Sequence, residues 1–413
     1  MKLFATFLLS CVALSFAQAQ TTWHKIPSGT NSQLNCISFA TNQVAFIGGN
    51  DSLLLKTADG GKTWNRVALN IAFTSNLQDV LKIQFLDSLN GYLLIGPYGD
   101  IYKTTDGGAT WTVESLNQTN MCFKQSIYFF DADNGFAGGS MCFQGETIAQ
   151  KVNGNWDTLQ TVGGWDANDQ VSGFDFINSQ VGLACSTGGY VFRTTNGGAT
   201  WDSINTGFDT LHLSDIQYQT DSIVYATYTN TGLEGLLEST DGGHTWARNF
   251  SAATFHYPGL FAMTKDANNT VYFGGKNQWG AMGAILQAGP LGFSVYLAEQ
   301  EVYGITSPYD TIVFAVGDSG YIATNVLPSS IGIQENKSIK VNVYPNPVKD
   351  QFTIDGLRKS SRIEMYTNSG QLVYRSQTSS EKETIDIGLL KSGIYILNIQ
   401  SNNQVESLKI LKE

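Results

Sequence analysis

Apolar residues along the chain fall into short runs, mostly of four to six residues, separated by turns rich in Gly, Asn and Asp. One period shows the pattern. Ile83-Gln84-Phe85 alternates, a polar turn follows at Asp87-Ser88-Leu89-Asn90-Gly91, and a second apolar run covers Tyr92 to Ile95. A turn at Pro97-Tyr98-Gly99-Asp100 leads to a third run, Ile101-Tyr102-Lys103-Thr104, which enters an Asp-Gly-Gly turn and leaves it on a Thr-Trp strand. Such runs are too short for helices and carry strand-like periodicity, so the pattern predicts four antiparallel strands per period.

The period itself repeats. TADGGKTW at 57–64 returns as TTDGGATW at 104–111, TTNGGATW at 194–201 and STDGGHTW at 239–246, with a worn copy ending at Asn153-Gly154-Asn155-Trp156. The tryptophans stand at 64, 111, 156, 201 and 246, spaced by 47, 45, 45 and 45 residues, and one further step meets Phe293 in a decayed copy. Four short strands at this period describe a propeller blade. In the turn, the carboxylates of Asp59, Asp106 and Asp241, and the amide of Asn196, can accept backbone N–H bonds while the glycines supply positive φ. Trp64, Trp111, Trp201 and Trp246 each bury a ring whose N–H calls for an acceptor. The motif resembles the Asp-box (BNR-type, photosystem II assembly factor-like) repeats of sialidases, some endoglucanases and photosystem-assembly propellers. That resemblance covers about residues 22–327 and implies fold rather than activity.

First strands near Leu34, Leu81, Gln125, Ser172, Ser214, Leu260 and Val302 give seven starts. The last period stops after Tyr321 to Thr324 without a Thr-Trp strand, whereas Thr22-Trp23-His24-Lys25-Ile26 aligns with Thr63-Trp64-Asn65-Arg66-Val67. The expected fold is therefore all-β: a seven-bladed β-propeller closed by the N-terminal strand, which places Trp23 beside Tyr321 and Ile322, followed by a small C-terminal β-sandwich. Closure removes exposed sheet edges.

The ends carry addresses. Lys2, an apolar run from Leu3 to Phe16 and Ala17-Gln18-Ala19 read as a signal peptide over 1–19. Cys11 in Leu8-Leu9-Ser10-Cys11 loosely resembles a lipobox, but the apolar run continues past it. It also falls short of the ~20 residues of a transmembrane helix. The propeller is expected over 20–328 and a polar linker over 329–340. Residues 341–413 alternate again, through Val341-Asn342-Val343-Tyr344-Pro345-Asn346-Pro347, Asn368-Ser369-Gly370-Gln371-Leu372-Val373 and Leu390-Lys391-Ser392-Gly393-Ile394-Tyr395-Ile396-Leu397. In this order these segments resemble the type A sorting domain of type IX secretion. The resemblance implies that the tail engages the type IX machinery, and that the chain is secreted or held at the outer cell surface. An ordinary fibronectin-like module is the alternative.

Charge narrows the partners. With Lys+Arg at 24 against Asp+Glu at 35, the formal net charge is −11, which disfavours nucleic acid and anionic lipid. Four cysteines follow the signal peptide. Cys122 and Cys142 are expected to form a disulfide across adjacent loops of blade three; Cys36 and Cys185 are expected to be free and buried. No Cys-x-x-Cys pair occurs, and the four histidines, His24, His212, His244 and His256, are scattered, so neither a metal nor a cofactor is expected.

Catalysis finds little support in the residues. A sialidase grips its substrate with three arginines, but the propeller has only Arg66, Arg193 and Arg248, each beside an Asp-box hairpin on outer strands. The face opposite the Asp boxes is the expected ligand face. It would carry Asp79, Asp100, Asp166, Asp169, Glu299, Glu301 and Asp318 with Tyr98, Trp165, His256, Tyr257 and Trp279. Acids with aromatic platforms suit a sugar; solvated loop acids and partly packed rings are the simpler account. The function expected is a non-catalytic extracellular binding or scaffold propeller with a glycan or protein ligand. The alternative is a glycan-binding or glycoside hydrolase propeller.

Overall fold

The computed structural model describes residues 22–327 and 341–413, apart from 70, 72–77, 97–99, 115, 117–120, 142–144, 164–168, 209, 230–234, 250–258, 277–281, 290–291, 358–360, 368–371, 379, 389 and 402–403. The signal peptide and the linker of the sequence reading therefore lie outside the described residues. The chain divides into two compact units, Met1–Ile331 and Gly332–Glu413.

In the first unit the described residues form seven four-stranded antiparallel sheets. Sheets one to six are consecutive meanders over residues 34–66, 80–114, 121–161, 171–205, 212–248 and 259–298. The seventh joins Val302–Tyr309, Ile312–Gly317 and Ile322–Thr324 to the N-terminal strand His24–Lys25. His24 pairs with Thr324 and Lys25 with Ala323, and the Ile26 N–H donates to the Ile322 carbonyl at 2.9 Å. First strands of successive sheets pack together, and that of sheet seven returns to that of sheet one. The arrangement is a β-propeller, with the N-terminal strand in the place left for it.

Each innermost strand leaves one edge facing the next sheet, and its peptide groups need partners. Side chains supply them. Ser126 Oγ donates to the Val171 carbonyl (3.1 Å), Ser172 Oγ to Leu213 (2.6 Å) and Ser214 Oγ to Leu260 (3.0 Å). Asp175 Oδ2 accepts the Tyr218 N–H at 2.7 Å, and Asp215 Oδ2 that of Met263 at 3.0 Å. Gln84 does both, accepting from Phe129 N–H and donating to its carbonyl at 2.9 Å each. All seven innermost strands have a register shift at the same place, at Asn35, Leu81, Gln125, Ser172, Ser214, Phe261 and Tyr303. These bulges kink every strand where it begins, as closure of a ring of sheets demands. Burial pushes the Asp175 carboxyl up to about 6 and raises that of Asp215 as well, so these clasps are built from acids held away from water.

The seams are aromatic. Phe46 of sheet one stacks on Phe85 of sheet two at 4.6 Å, and Trp111 meets Phe85 edge-on at 5.9 Å. Tyr92, Phe129 and Trp156 repeat the arrangement one sheet on, and Phe136, Phe176 and Trp201 repeat it again. The box tryptophan thus closes a stack begun by the second strand of the preceding sheet. Trp23 follows this rule. It packs in one cluster with Tyr321, as expected, and faces Tyr272 and Tyr296 of sheet six at 6.5 and 6.0 Å. Ile322 points to the other side of its sheet, into a cluster with Ile26, Trp64 and Phe314.

The second unit has a three-stranded sheet (Asn342–Tyr344, Gln351–Asp355, Lys382–Asp386) and a four-stranded sheet (Leu372–Thr378, Ser361–Thr367, Gly393–Ser401, Gln404–Lys412). Alternate residues of both meet in one apolar core, with Phe352, Ile354 and Ile385 from the first and Ile363, Met365, Leu397, Ile399 and Ile410 from the second. That core excludes water without help from the first unit.

Candidate functional site

The Asp boxes and the turns joining first to second strands lie on one face. Box glycines donate to those turns: Gly60 N–H to Gln43, Gly107 to Leu89, Gly197 to Gln180 and Gly242 to Ser222, at 2.8–2.9 Å. Within the box, Asp59 Oδ1 accepts the Thr63 N–H at 3.0 Å and the Thr57 hydroxyl at 2.7 Å, while Oδ2 takes the Thr63 hydroxyl at 2.6 Å. Asp106 and Asp241 do the same with Thr110 and Thr245. The Thr110 hydroxyl and N–H, with Thr104 and Ala109, hold the Asp106 carboxyl down at about 2. Burial would raise Asp241, but bonds from Thr245, Ser239 and His244 outweigh it and bring it also to about 2. These are structural anions with every oxygen engaged.

The indole N–H groups are served unevenly. Those of Trp64 and Trp246 reach the Gly61 and Gly243 carbonyls at 3.1 and 3.0 Å, and that of Trp156 reaches Glu114 Oε1 at 3.1 Å. Those of Trp111 and Trp201 meet no acceptor, contrary to the expectation that each would. At Trp201 the equivalent carbonyl, of Gly198, instead accepts Gln160 Nε2 of sheet three at 2.9 Å.

Of the seven predicted acids, all but Asp166 fall among the described residues, and Asp79, Glu299 and Glu301 are engaged within the protein. Asp79 Oδ1 accepts the Asp51 N–H at 3.0 Å, pinning the second-to-third-strand turn of the preceding sheet. Glu299 pairs with Lys25 at 2.6 Å. Glu301 accepts the Tyr303 hydroxyl at 2.5 Å, and Asp318 opens a single 3-10 turn, Asp318–Gly320. Asp100 precedes the third strand of sheet two, where its carbonyl accepts the Ile95 N–H at 3.3 Å. Tyr98, Trp165, Asp166, His256, Tyr257 and Trp279 lie outside the described residues, and so does the Cys122–Cys142 pairing. Cys122 itself falls within the strand Met121–Phe129 rather than in the loop before it. Cys36 and Cys185 are free thiols in the core; burial raises both, to about 12.

One acid was invisible in the sequence. Glu146, in the third strand of sheet three, is fully buried and accepts the Ser186 hydroxyl of sheet four at 3.0 Å. Glu146 Oε1 and Asp169 Oδ2 each lie 2.7 Å from where a Cβ on Gly188 would stand, so that glycine is needed to seat them. Glu146 lies inside a strand with no motif around it, so no pattern marks it. Among the described residues no group of three or more His, Cys, Asp or Glu side chains is placed to hold a metal ion. No helix among them is long and apolar enough to cross a membrane.

Sheet three departs from the four box-bearing sheets. In place of the box it has a two-residue turn, Asn153-Gly154, with φ of 49° and 84°, the type I′ geometry that suits a hairpin. The ammonium of Lys151, 2% exposed, lies 2.5 Å from Glu114 Oε1 and 3.2 Å from the Ala132 carbonyl. Glu114 also holds the Trp156 indole, so one ion pair fastens sheets two and three where the box is missing.

Comparison with known proteins agrees with this anatomy. Residues 342–413 match the family described as secretion system C-terminal sorting domain, and residues 16–114 match that of the photosynthesis system II assembly factor YCF48. Among solved structures, YCF48 bound to D1 peptide is 18% identical, with a TM-score of 0.57 over 74% of this chain and 97% of that one. YCF48 from Cyanidioschyzon merolae is 15% identical, with a TM-score of 0.54 over 75% and 99%. These likenesses show the propeller fold. A curated relative, ulvan lyase NLR42 of Nonlabens ulvanivorans, is 30% identical over 91 residues, 21% of this chain and 17% of its own length. The chain thus has a β-propeller whose first part matches a BNR-type family and a tail that matches a secretion sorting domain, an arrangement that points to secretion and attachment at the cell surface.

Proposed function

We propose that the propeller is a non-catalytic binding module, displayed outside the cell after its tail, residues 341–413, has engaged the type IX machinery. Its ligand is an extracellular glycan or protein. The observation that carries this reading is the use of the acids. Asp79, Glu299 and Glu301 are bound to a backbone amide, a lysine and a tyrosine. Glu146, the acid seated with Asp169, is fully buried. A glycosidase needs two carboxylates open to opposite sides of a sugar, ~5–9.5 Å apart, and acids spent on structure do not serve that chemistry. Peptide ligands belong in the search because a propeller of this fold carries one in its solved complex.

The test is a glycan and peptide array probed with the purified chain, alongside a hydrolysis assay on every glycan bound. Saturable binding without turnover is expected. Turnover lost in Asp169→Asn would replace this reading with the glycoside hydrolase alternative.

A further inference from the structure

The seam between sheets three and four opens, on the Asp-box face, into a cavity of about 310 Å³. That lies at the lower end of the ~300–1,000 Å³ range of small-molecule sites. Two departures from the repeat border this one cavity. Sheet three, like sheet six, has lost its box, so its third and fourth strands are joined by a two-residue turn where the four box-bearing sheets carry a longer loop. In sheet four the box acid is Asn196, the one amide among the four good copies.

The second departure rewires the box. In the Asp boxes the threonine hydroxyl donates to the carboxylate, as Thr63 does to Asp59 at 2.6 Å. Here Asn196 Nδ2 donates to Thr200 Oγ1 at 2.9 Å. Oδ1 still takes the Thr200 N–H at 3.0 Å, so the turn keeps its shape. The wall loses a negative charge, the Thr200 hydroxyl hydrogen is released, and Asn196 keeps a second amide hydrogen.

The remaining charges at the cavity are spent within the protein. The Lys151 ammonium is held by Glu114 on the far side of its sheet. Asp131 accepts the N–H groups of Asp133 and Asn134 at 2.8 Å each and the Asn134 amide at 2.9 Å. The rest of the lining is neutral: Ser179, Gln180, Asn196, Asn134 and Gln150 (whose amide donates to the Gly197 carbonyl at 2.7 Å), beside the half-buried Phe130. Hydroxyl and amide groups that donate and accept, beside an apolar ring face, complement a ligand rich in uncharged hydroxyls with one apolar side.

We propose that this cavity binds one or two units of a neutral saccharide. The proposal rests on the binding-module reading and moves the ligand to the Asp-box face. Gln180 and Asn196 read the hydroxyls, and Phe130 takes the apolar face of the ring.

The experiment uses the full-length chain without its signal peptide and a labelled panel of neutral hexaoses of glucose, mannose, galactose and xylose. Sulfated and uronate oligosaccharides and a random peptide library form the counter-panel. Ser179→Trp fills the mouth, and Asn196→Asp restores the acid that three sister boxes fold with. Asp79→Asn and Asp169→Asn probe the opposite face. The expected result is saturable binding of a neutral hexaose, weakened at least tenfold by Ser179→Trp and about fivefold by Asn196→Asp, with thermal midpoints unchanged. Binding unaffected by both variants overturns the proposal, as does a ligand found only in the counter-panel. Binding lost only in the opposite-face variants also overturns it, while leaving the binding-module reading intact. Silence across both panels would sink both.

Discussion

Closure of the ring by Trp23 can be tested by one substitution. The ladder that joins the N-terminal strand to sheet seven has two residue pairs, too few to hold an end in place. The anchor is the Trp23 ring, 7% exposed against Tyr272 and Tyr296. A tryptophan buries ~200 Å², and at ~25 cal/mol per Å² burial contributes about 5 kcal/mol as an upper bound. Trp→Ala substitutions in cores cost ~3–5 kcal/mol. Because this strand lies at the outer edge of its sheet, water can enter part of the space left behind. Trp23→Ala should therefore cost about 3–4 kcal/mol, and Trp23→Phe about half of that. Urea unfolding followed by far-UV circular dichroism gives the midpoint, and limited proteolysis reports whether residues 22–26 are released. A loss below about 1 kcal/mol with no new cleavage near residue 26 would refute the closure argument.

Two further substitutions probe the seams. Lys151→Met leaves the half-buried Glu114 without its cation and should cost about 2–3 kcal/mol; pairing it with Glu114→Gln should recover part of that in the same urea assay. Full additivity of the two losses would show that the ion pair does not fasten sheets two and three. For Asp175, burial raises the folded-state carboxyl from 3.8 to about 6. An acid raised on folding favours the folded state while protonated, so its stability is lost as pH climbs from about 4 to 6. The deficit above pH 6 is about 3 kcal/mol. Asp175→Asn keeps an acceptor for the Tyr218 N–H, so it should be the more stable protein at pH 7 and equal to the parent at pH 4. A variant weaker at pH 7 than at pH 4, relative to parent, would contradict this.

The repeat was legible because a box must satisfy its own turn. Asp59, Thr57 and Thr63 close their hydrogen bonds within seven residues, so the motif is written locally. The role of Trp23 was legible for the same reason, by its phase. The partners of the box tryptophans were not. Phe46, Tyr92 and Phe136 sit on the preceding sheet, tens of residues away, and only the ring brings them together. The Lys151–Glu114 pair is hidden likewise, since neither residue stands in a motif. The candidate acids show the limit of a face assignment: sequence places Asp79 and Glu301 on the loop-bearing side, but their commitment to Asp51 and Tyr303 depends on side-chain geometry. The acceptors missing for Trp111 and Trp201 mark where a general rule gave way.

The division of labour between propeller and tail is most directly tested by moving the tail. Three proteins are followed by cell fractionation in a host with type IX secretion: the full chain, the chain lacking residues 341–413, and an inert exported reporter carrying those residues. The account predicts the full chain and the reporter fusion at the surface or in the medium. It predicts the truncated chain folded in the periplasm, since each unit has its own core. Truncated chain reaching the outside as efficiently as the full one, or a fusion retained in the periplasm, would contradict it.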